Sequence, residues 1–156
     1  MSIELESVIP FMMTRLKFGA GATEELGYEL AALGAKSVLL VADRNLAQHG
    51  LIDRARAFVE DAGVRVSLYD EVFIEPTDAS LRRAIASVEG SDHDAFVALG
   101  GGSTIDTAKA MNLYTTHRAD HFDYITKPLG RGKRVPGPLK PLVALPTTAG
   151  TGSETT

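Results

Sequence analysis

The chain has 156 residues, 44% of them apolar and 23% charged, which suits one ordinary soluble domain and is too short for two well-packed ones. A net charge of −4 gives a nucleic-acid partner no electrostatic support, and the lack of cysteine excludes disulfides and thiolate metal sites. The opening MSIELESVIP has no basic stretch and no long apolar core, and no apolar run approaches about 18 residues, so a cytoplasmic protein without signal peptide or membrane span is expected.

Near the N-terminus, within a first stretch of residues 1–18 that is otherwise hard to place, RLKFG alternates like a strand and is expected at a sheet edge. Residues 22–33 read as a helix with Leu26, Leu30 and Leu33 on one face and Gly34 as its stop. SVLLVA, Ser37–Ala42, is a short continuous apolar run, as a buried parallel strand requires. A second helix spans 51–62, with Ile52, Ala55, Phe58, Val59 and Ala62 on one face and Gly63 as its stop. Residues 64–69 form the second strand, and EPTD at 75–78 turns into a helix that Thr77 or Asp78 caps and that runs to about Val88. AFVAL, Ala95–Leu99, is the third strand, and a helix follows from Ser103 to about Tyr114. Residues 126–141, with four of the seven prolines, are a loop before the fourth strand, 142–145, which Pro146 closes. Strands alternating with helices predict an α/β domain with a mainly parallel sheet covered on both faces.

Three glycines, Gly100, Gly101 and Gly102, sit at the carboxyl end of the third strand, where open α/β sheets bind their ligands. Without Cβ atoms they can take positive φ and let a phosphate approach the backbone. Ser103 is a suitable N-cap, and Ser103–Asp106 has a capping-box pattern. The free N–H groups of the first helical turn, with the helix dipole, attract an anion. A single glycine would suffice for a ligand-free turn, so three followed by a cap point to a phosphate site. The stretch is not G-x-G-x-x-G, so the standard dinucleotide fingerprint does not apply.

A second polar, glycine-containing stretch, LPTTAGTGSETT at 145–156, follows the fourth strand with Thr147, Thr148, Thr151 and Ser153 as hydroxyl donors. Thr151–Glu154 is again a capping box and announces a helix, yet only two residues follow, so the chain is expected to be the front part of a longer protein rather than to end in a polar tail.

GGGSTIDTAKA and PTTAGTGSE, in this order and spacing, resemble the two glycine-rich signatures of the iron-containing (group III) alcohol dehydrogenase family. VLLVADRNL and FGAGATEEL extend the likeness over nearly the whole chain, and EPTDASL and the segment from PLGRGKR onward are most similar to the hydroxyacid-oxoacid transhydrogenase branch. The resemblance implies a Rossmann-like N-terminal dinucleotide-binding domain over 1–156 and, outside this sequence, a C-terminal helical domain in which an aspartate and three histidines hold Fe²⁺, or sometimes Zn²⁺. It implies that Gly101, Gly102 and Ser103 bind the pyrophosphate of NAD(H), with Gly100 beside them in the cofactor-binding set, and that Thr147, Thr148 and Thr151 line its nicotinamide and ribose side. Asp43 matches an acid that bonds the adenosine ribose, which would disfavour a 2′-phosphate; a turn acid or helix cap explains it equally well. Asp106 matches a family acid on the same helix, or caps it. Glu75 stands where many members have an asparagine near the adenine.

His117 and His121 are four apart, a spacing that can hold a metal, but two solvated histidines are the expectation; His49 and His93 fall in loops without evident partners. Lys127, Arg131, Lys133, Arg134 and Lys140 form a basic loop, solvated or steering an anionic substrate. The resemblance therefore implies the cofactor-binding part of a metal-dependent oxidoreductase that moves hydride between NAD(H) and an alcohol or hydroxy acid. No catalytic residue and no metal ligand is assigned within the chain, which alone is expected to be inactive. Expected partners are the small-molecule alcohol or hydroxy/oxo acid, the C-terminal helical domain and, in assembly, a second copy, with no nucleic acid and no membrane. The glycine loop by itself fits equally a stand-alone nucleotide-binding module or the NAD-binding half of a sugar-phosphate cyclase.

Overall fold

Two apolar runs make the centre of the sheet. In the computed structural model, which describes residues 14–155, β1 (Ser37–Ala42) and β3 (Ala95–Gly100) are buried at every position. Both lie inside a four-stranded parallel sheet of order β2-β1-β3-β4, with β2 at Arg65–Tyr69 and β4 at Leu142–Pro146. A strand covered on both faces has no solvent side, so neither alternates in polarity. Edge strand β2 does have one, and there Leu68 is exposed while Tyr69 is buried.

Two cores follow from the pleat. Val38, Leu40 and Ala42 of β1 stand beside Ala95, Val97 and Leu99 of β3 on one face. They are covered by Leu26 and Leu30 of α1 (Leu26–Ala32) and by Ile52, Ala55 and Val59 of α2 (Leu51–Asp61). Leu39, Val41, Phe96 and Ala98 face the other way. Ala84 of α3 (Asp78–Ser87) and Ile105, Ala108 and Met111 of α4 (Gly102–Thr116) cover them. The α/β architecture with helices on both faces is thus present. Among the described residues no helix is long and apolar enough to cross a membrane.

Several local expectations change. Residues 22–25 form a 3-10 turn and only 26–32 an α-helix, so Leu33 falls at the C-cap, past the last packed turn, and is 48% exposed. Thr77 caps α3, its hydroxyl accepting from Ser80 N–H at 3.2 Å while Ser80 Oγ accepts from Thr77 N–H at 2.8 Å. Residues 15–18 pair with no strand; Arg15 and Lys17 form ion pairs with Glu29, and Lys17 also with Glu25, which holds them along α1 instead of the sheet edge. The remainder of that expectation, residues 1–13, lies outside the described residues.

The basic loop is only partly solvated. Arg131 contacts Asp120 at 2.9 Å and Asp123 at 2.5 Å, and Lys133 contacts Asp123 at 3.0 Å. Arg131 and then Lys133 hold the Asp123 carboxyl below the usual carboxylate range. Lys140 donates to the carbonyl of His93 at 2.6 Å, and buried Asn112 of α4 exchanges hydrogen bonds with the Lys140 backbone at 2.8 and 3.2 Å. These bonds seat the chain as it enters β4. His93 is itself buried, bonded to Ser91 Oγ at 2.8 Å, and burial holds its pKa below the ordinary histidine value. Its loop position in the sequence concealed this.

Candidate functional site

The sheet order places a switch point between β1 and β3, since β1 continues to β2 on one side and β3 to β4 on the other. Backbone bonds join the three strand ends there: Asp43 N–H donates to Leu99 O at 3.2 Å, and Thr147 N–H to Gly100 O at 2.9 Å. Asp43, the glycines and Thr147 therefore share one rim.

The turn from β3 to α4 is tighter than its sequence suggests. Gly101 is the N-cap, extended at φ −79° and ψ −172°, and its carbonyl accepts from Thr104 at 3.0 Å and Ile105 at 3.2 Å. Ser103 therefore lies inside the first turn. A residue with helical φ/ψ cannot cap its own helix, so Ser103 is no N-cap and the Ser103–Asp106 box does not form. Asp106 is exposed on α4 and lines no part of the cavity at this rim. The first-turn donors left without an intrahelical acceptor include the N–H groups of Gly102 and Ser103.

The three glycines are not equivalent. Gly100 alone of the three has positive φ, 157°, and a Cβ there would lie 2.7 Å from Thr104 Cβ. At Gly101 and Gly102 the constraint is space, not φ. A Cβ on Gly101 would come 3.2 Å from Thr148 Oγ1; one on Gly102 would come 3.2 Å from Ser153 Oγ and 3.3 Å from Thr151 Cβ.

Those neighbours belong to the second glycine-containing loop, folded over the start of α4. Thr151 Oγ1 accepts from Ser153 N–H at 3.2 Å and donates to Glu154 Oε2 at 2.8 Å, so a capping arrangement starts a 3-10 turn at Ser153–Thr155. Backbone N–H bonding, its own first, and the Thr151 hydroxyl hold the Glu154 carboxyl below its usual range. Lys109 of α4 donates to Ser153 O and ties the loop down. Thr151 is occupied within the loop and does not line the cavity.

Between the loops is a cavity of about 260 Å³. It brings together Asp43, Gly101, Gly102, Ser103, Thr147 and Thr148, while Gly100 is not part of its lining. Asp43 is half-buried there and also accepts from Asn45 N–H at 2.9 Å, capping a 3-10 turn at Arg44–His49, so the cap reading is met while the carboxylate also lines the cavity. The opposite wall, Val72, Phe73 and Ile74, escaped the sequence reading. Its only signal was an apolar triplet after β2 that no strand absorbed. Bare Cα atoms, first-turn N–H groups and hydroxyls around a cradle that Cβ atoms would fill suit a phosphate-bearing ligand.

Glu75, next along the chain, is the only non-glycine residue with positive φ (57°) among the described residues. Asparagine tolerates this region far better than a longer side chain. Glu75→Asn is expected to raise stability by about 0.5–1 kcal/mol, read as a higher Tm; an unchanged or lower Tm would show that no strain resides there.

The histidine pair does not act together. Helix α4 ends at Thr116, so the two rings share no helical face. His117 Nε2 donates toward the carbonyls of Gly137 and Pro138 at 3.2 and 3.0 Å. His121 is buried, stacked on Tyr114 at 5.6 Å, and its Nε2 pairs with Asp78 of α3. Neither is the solvated side chain expected. Among the described residues no three histidine or carboxylate side chains converge as a metal would require.

A family model described as iron-containing alcohol dehydrogenase matches residues 13–156. The mitochondrial hydroxyacid-oxoacid transhydrogenases of Bos taurus and Homo sapiens are 47% and 46% identical to this chain over 145 residues, 92% of it and 31% of each of them. The chain thus spans about a third of the length of these curated relatives. Among solved structures, an iron-containing alcohol dehydrogenase from Thermococcus thioreducens superposes with a TM-score of 0.84 at 29% identity, over 95% of this chain and 39% of that one. A 1,3-propanediol oxidoreductase gives 0.76 at 33% identity, over 94% and 38%.

Proposed function

Since the chain belongs to the iron-containing alcohol dehydrogenase family, we propose that residues 1–156 are the dinucleotide-binding domain of an oxidoreductase that transfers hydride between NAD(H) and an alcohol or hydroxy acid. The observation that carries this reading is the cradle at the switch point, where α4 begins against the bare Cα atoms of Gly101 and Gly102. The N–H groups of Gly102 and Ser103 would hold the pyrophosphate, and the α4 dipole favours its charge. The Asp43 carboxylate would accept from ribose hydroxyls and repel a 2′-phosphate. Thr147 and Thr148 would place hydroxyl donors on the nicotinamide side. A bound nicotinamide supplies the hydride acceptor or donor. The hydroxy-acid class rests on the identity to the transhydrogenases, whose names place them in mitochondria; for this chain the cytoplasm is the proposed compartment. The Fe²⁺ or Zn²⁺ of the family would be held by residues other than these, so the 156 residues alone are expected to turn over neither simple alcohols nor 4-hydroxybutyrate when Fe²⁺ or Zn²⁺ is added.

The test is titration with NADH and NADPH, followed by nucleotide fluorescence. NADH is expected to bind at least about tenfold more tightly, the scale of one charge-assisted hydrogen bond made or one repulsion avoided. Equal or tighter NADPH binding would place the ribose away from Asp43. Robust turnover by the 156 residues would contradict the division of labour.

A further inference from the structure

Arg44 is the residue after Asp43 and the first of the 3-10 turn. A guanidinium beside the acid at a strand end is the group that accommodates a 2′-phosphate in dinucleotide sites, because its fork matches phosphate oxygens in pairs. Here that fork is already engaged. Arg44 Nε and Nη2 each lie 3.3 Å from a carboxylate oxygen of Asp70, and Nη2 lies 3.9 Å from Glu71 Oε1. The backbone holds the partners in place: Glu71 forms an antiparallel bridge with Asp43, just past the register pair Val41 and Tyr69. Asp70, chiefly, raises the Arg44 pKa further. At this corner the Asp70 and Glu71 carboxylates face the Arg44 guanidinium. Arg83 of α3 sits over the Phe73 ring at 5.3 Å.

We propose that Asp70 is a specificity-determining residue, which holds the Arg44 guanidinium in a side-on pair and so withholds from the cavity a cation placed to receive a 2′-phosphate. The proposal rests on the dinucleotide reading above and adds to it. Discrimination against NADP(H) then comes from two carboxylates, Asp43 by repulsion and Asp70 by sequestration. Asp70 lines no part of the cavity, and the Arg44 side chain is 64% exposed. An exposed pair of this kind contributes little to folding, so it can be broken without unfolding the chain.

The experiment measures NADH and NADPH dissociation constants by fluorescence on the full chain, for the parent, Asp70→Asn, Glu71→Gln and Asp70→Asn/Arg44→Gln, with Tm recorded for each. Asp70→Asn is expected to tighten NADPH about tenfold while NADH changes less than about twofold. Glu71→Gln moves the ratio the same way by less, because its contact is longer. The gain shrinks as salt is added, as a screened ion pair must, and disappears when Arg44→Gln is combined. An unchanged NADPH-to-NADH ratio in Asp70→Asn, or a gain that survives loss of Arg44, overturns the proposal while leaving the NAD(H) site intact. A folded parent that binds neither nucleotide overturns the site and the proposal together.

Discussion

Gly102→Val is expected to weaken NADH binding by about a hundredfold or more and to leave the chain folded. The new Cβ would sit 3.2 Å from Ser153 Oγ and 3.3 Å from Thr151 Cβ, so a branched side chain at this cavity-lining position is expected to crowd the approach to the start of α4. The phosphate could then no longer reach the helix terminus. Folding survives because Gly102 is the first helical residue at unstrained φ, and valine is slightly better in a helix than glycine, by a few tenths of a kcal/mol. The side chains it meets, Thr151 and Ser153, are half-buried in a loop rather than in the core and can shift by the few tenths of an ångström required. Ser103→Ala is milder. Ser103 caps nothing, so the loss of about 1 kcal/mol usual for an N-cap does not arise, and one hydrogen bond of about 0.5–1.5 kcal/mol is the most that binding loses. Titration with NADH alongside thermal melting checks both. A folded Gly102→Val that binds NADH as the parent does would reduce the glycines to a turn.

Gly27→Val is expected to cost stability by about 3 kcal/mol or more, which lowers Tm by about 10 °C for a domain of this size. Gly27 is buried on α1 where α1 meets α2. A Cβ there would run into the carbonyl oxygen of Phe58 and lie 2.9 Å from Ala62 Cβ. The first obstacle is backbone, which cannot rotate away. Glycine inside a helix costs about 1 kcal/mol against alanine, so close helix contact is the compensating reason for it. Thermal melting of Gly27→Ala and Gly27→Val tests this. If both melt at or above the parent temperature, α2 moves aside freely and the contact carries no weight.

Much of the site was legible because its signals are local. SVLLVA and AFVAL read as buried strands from composition alone, and the glycines directly after AFVAL mark the rim by their place at a strand end. Thr77 was nameable as a cap because its partner is three residues away. Other features were not legible for the opposite reason. The role of Gly102 depends on Thr151 and Ser153, about fifty residues later in the chain, and that of Arg44 on Asp70 and Glu71 from the next strand. His93 and His121 look solvated in sequence, yet they are buried by Lys140, Tyr114 and Asp78.

The sequence by itself determined the alternation of strands and helices, the two-faced cover of the sheet and the family, because apolar period, glycine stops and short motifs are written in consecutive residues. Only the tertiary structure decided where α4 begins, which glycine needs positive φ, and which side chains line the cavity. The start of α4 and the backbone of Gly100 follow from how β3 meets the helix that packs over it, and a cap is set by actual φ/ψ, not by residue type. The lining follows from strand order: placing β3 beside β1 brings Asp43 to the glycines across nearly sixty residues of chain, a proximity that no local pattern encodes.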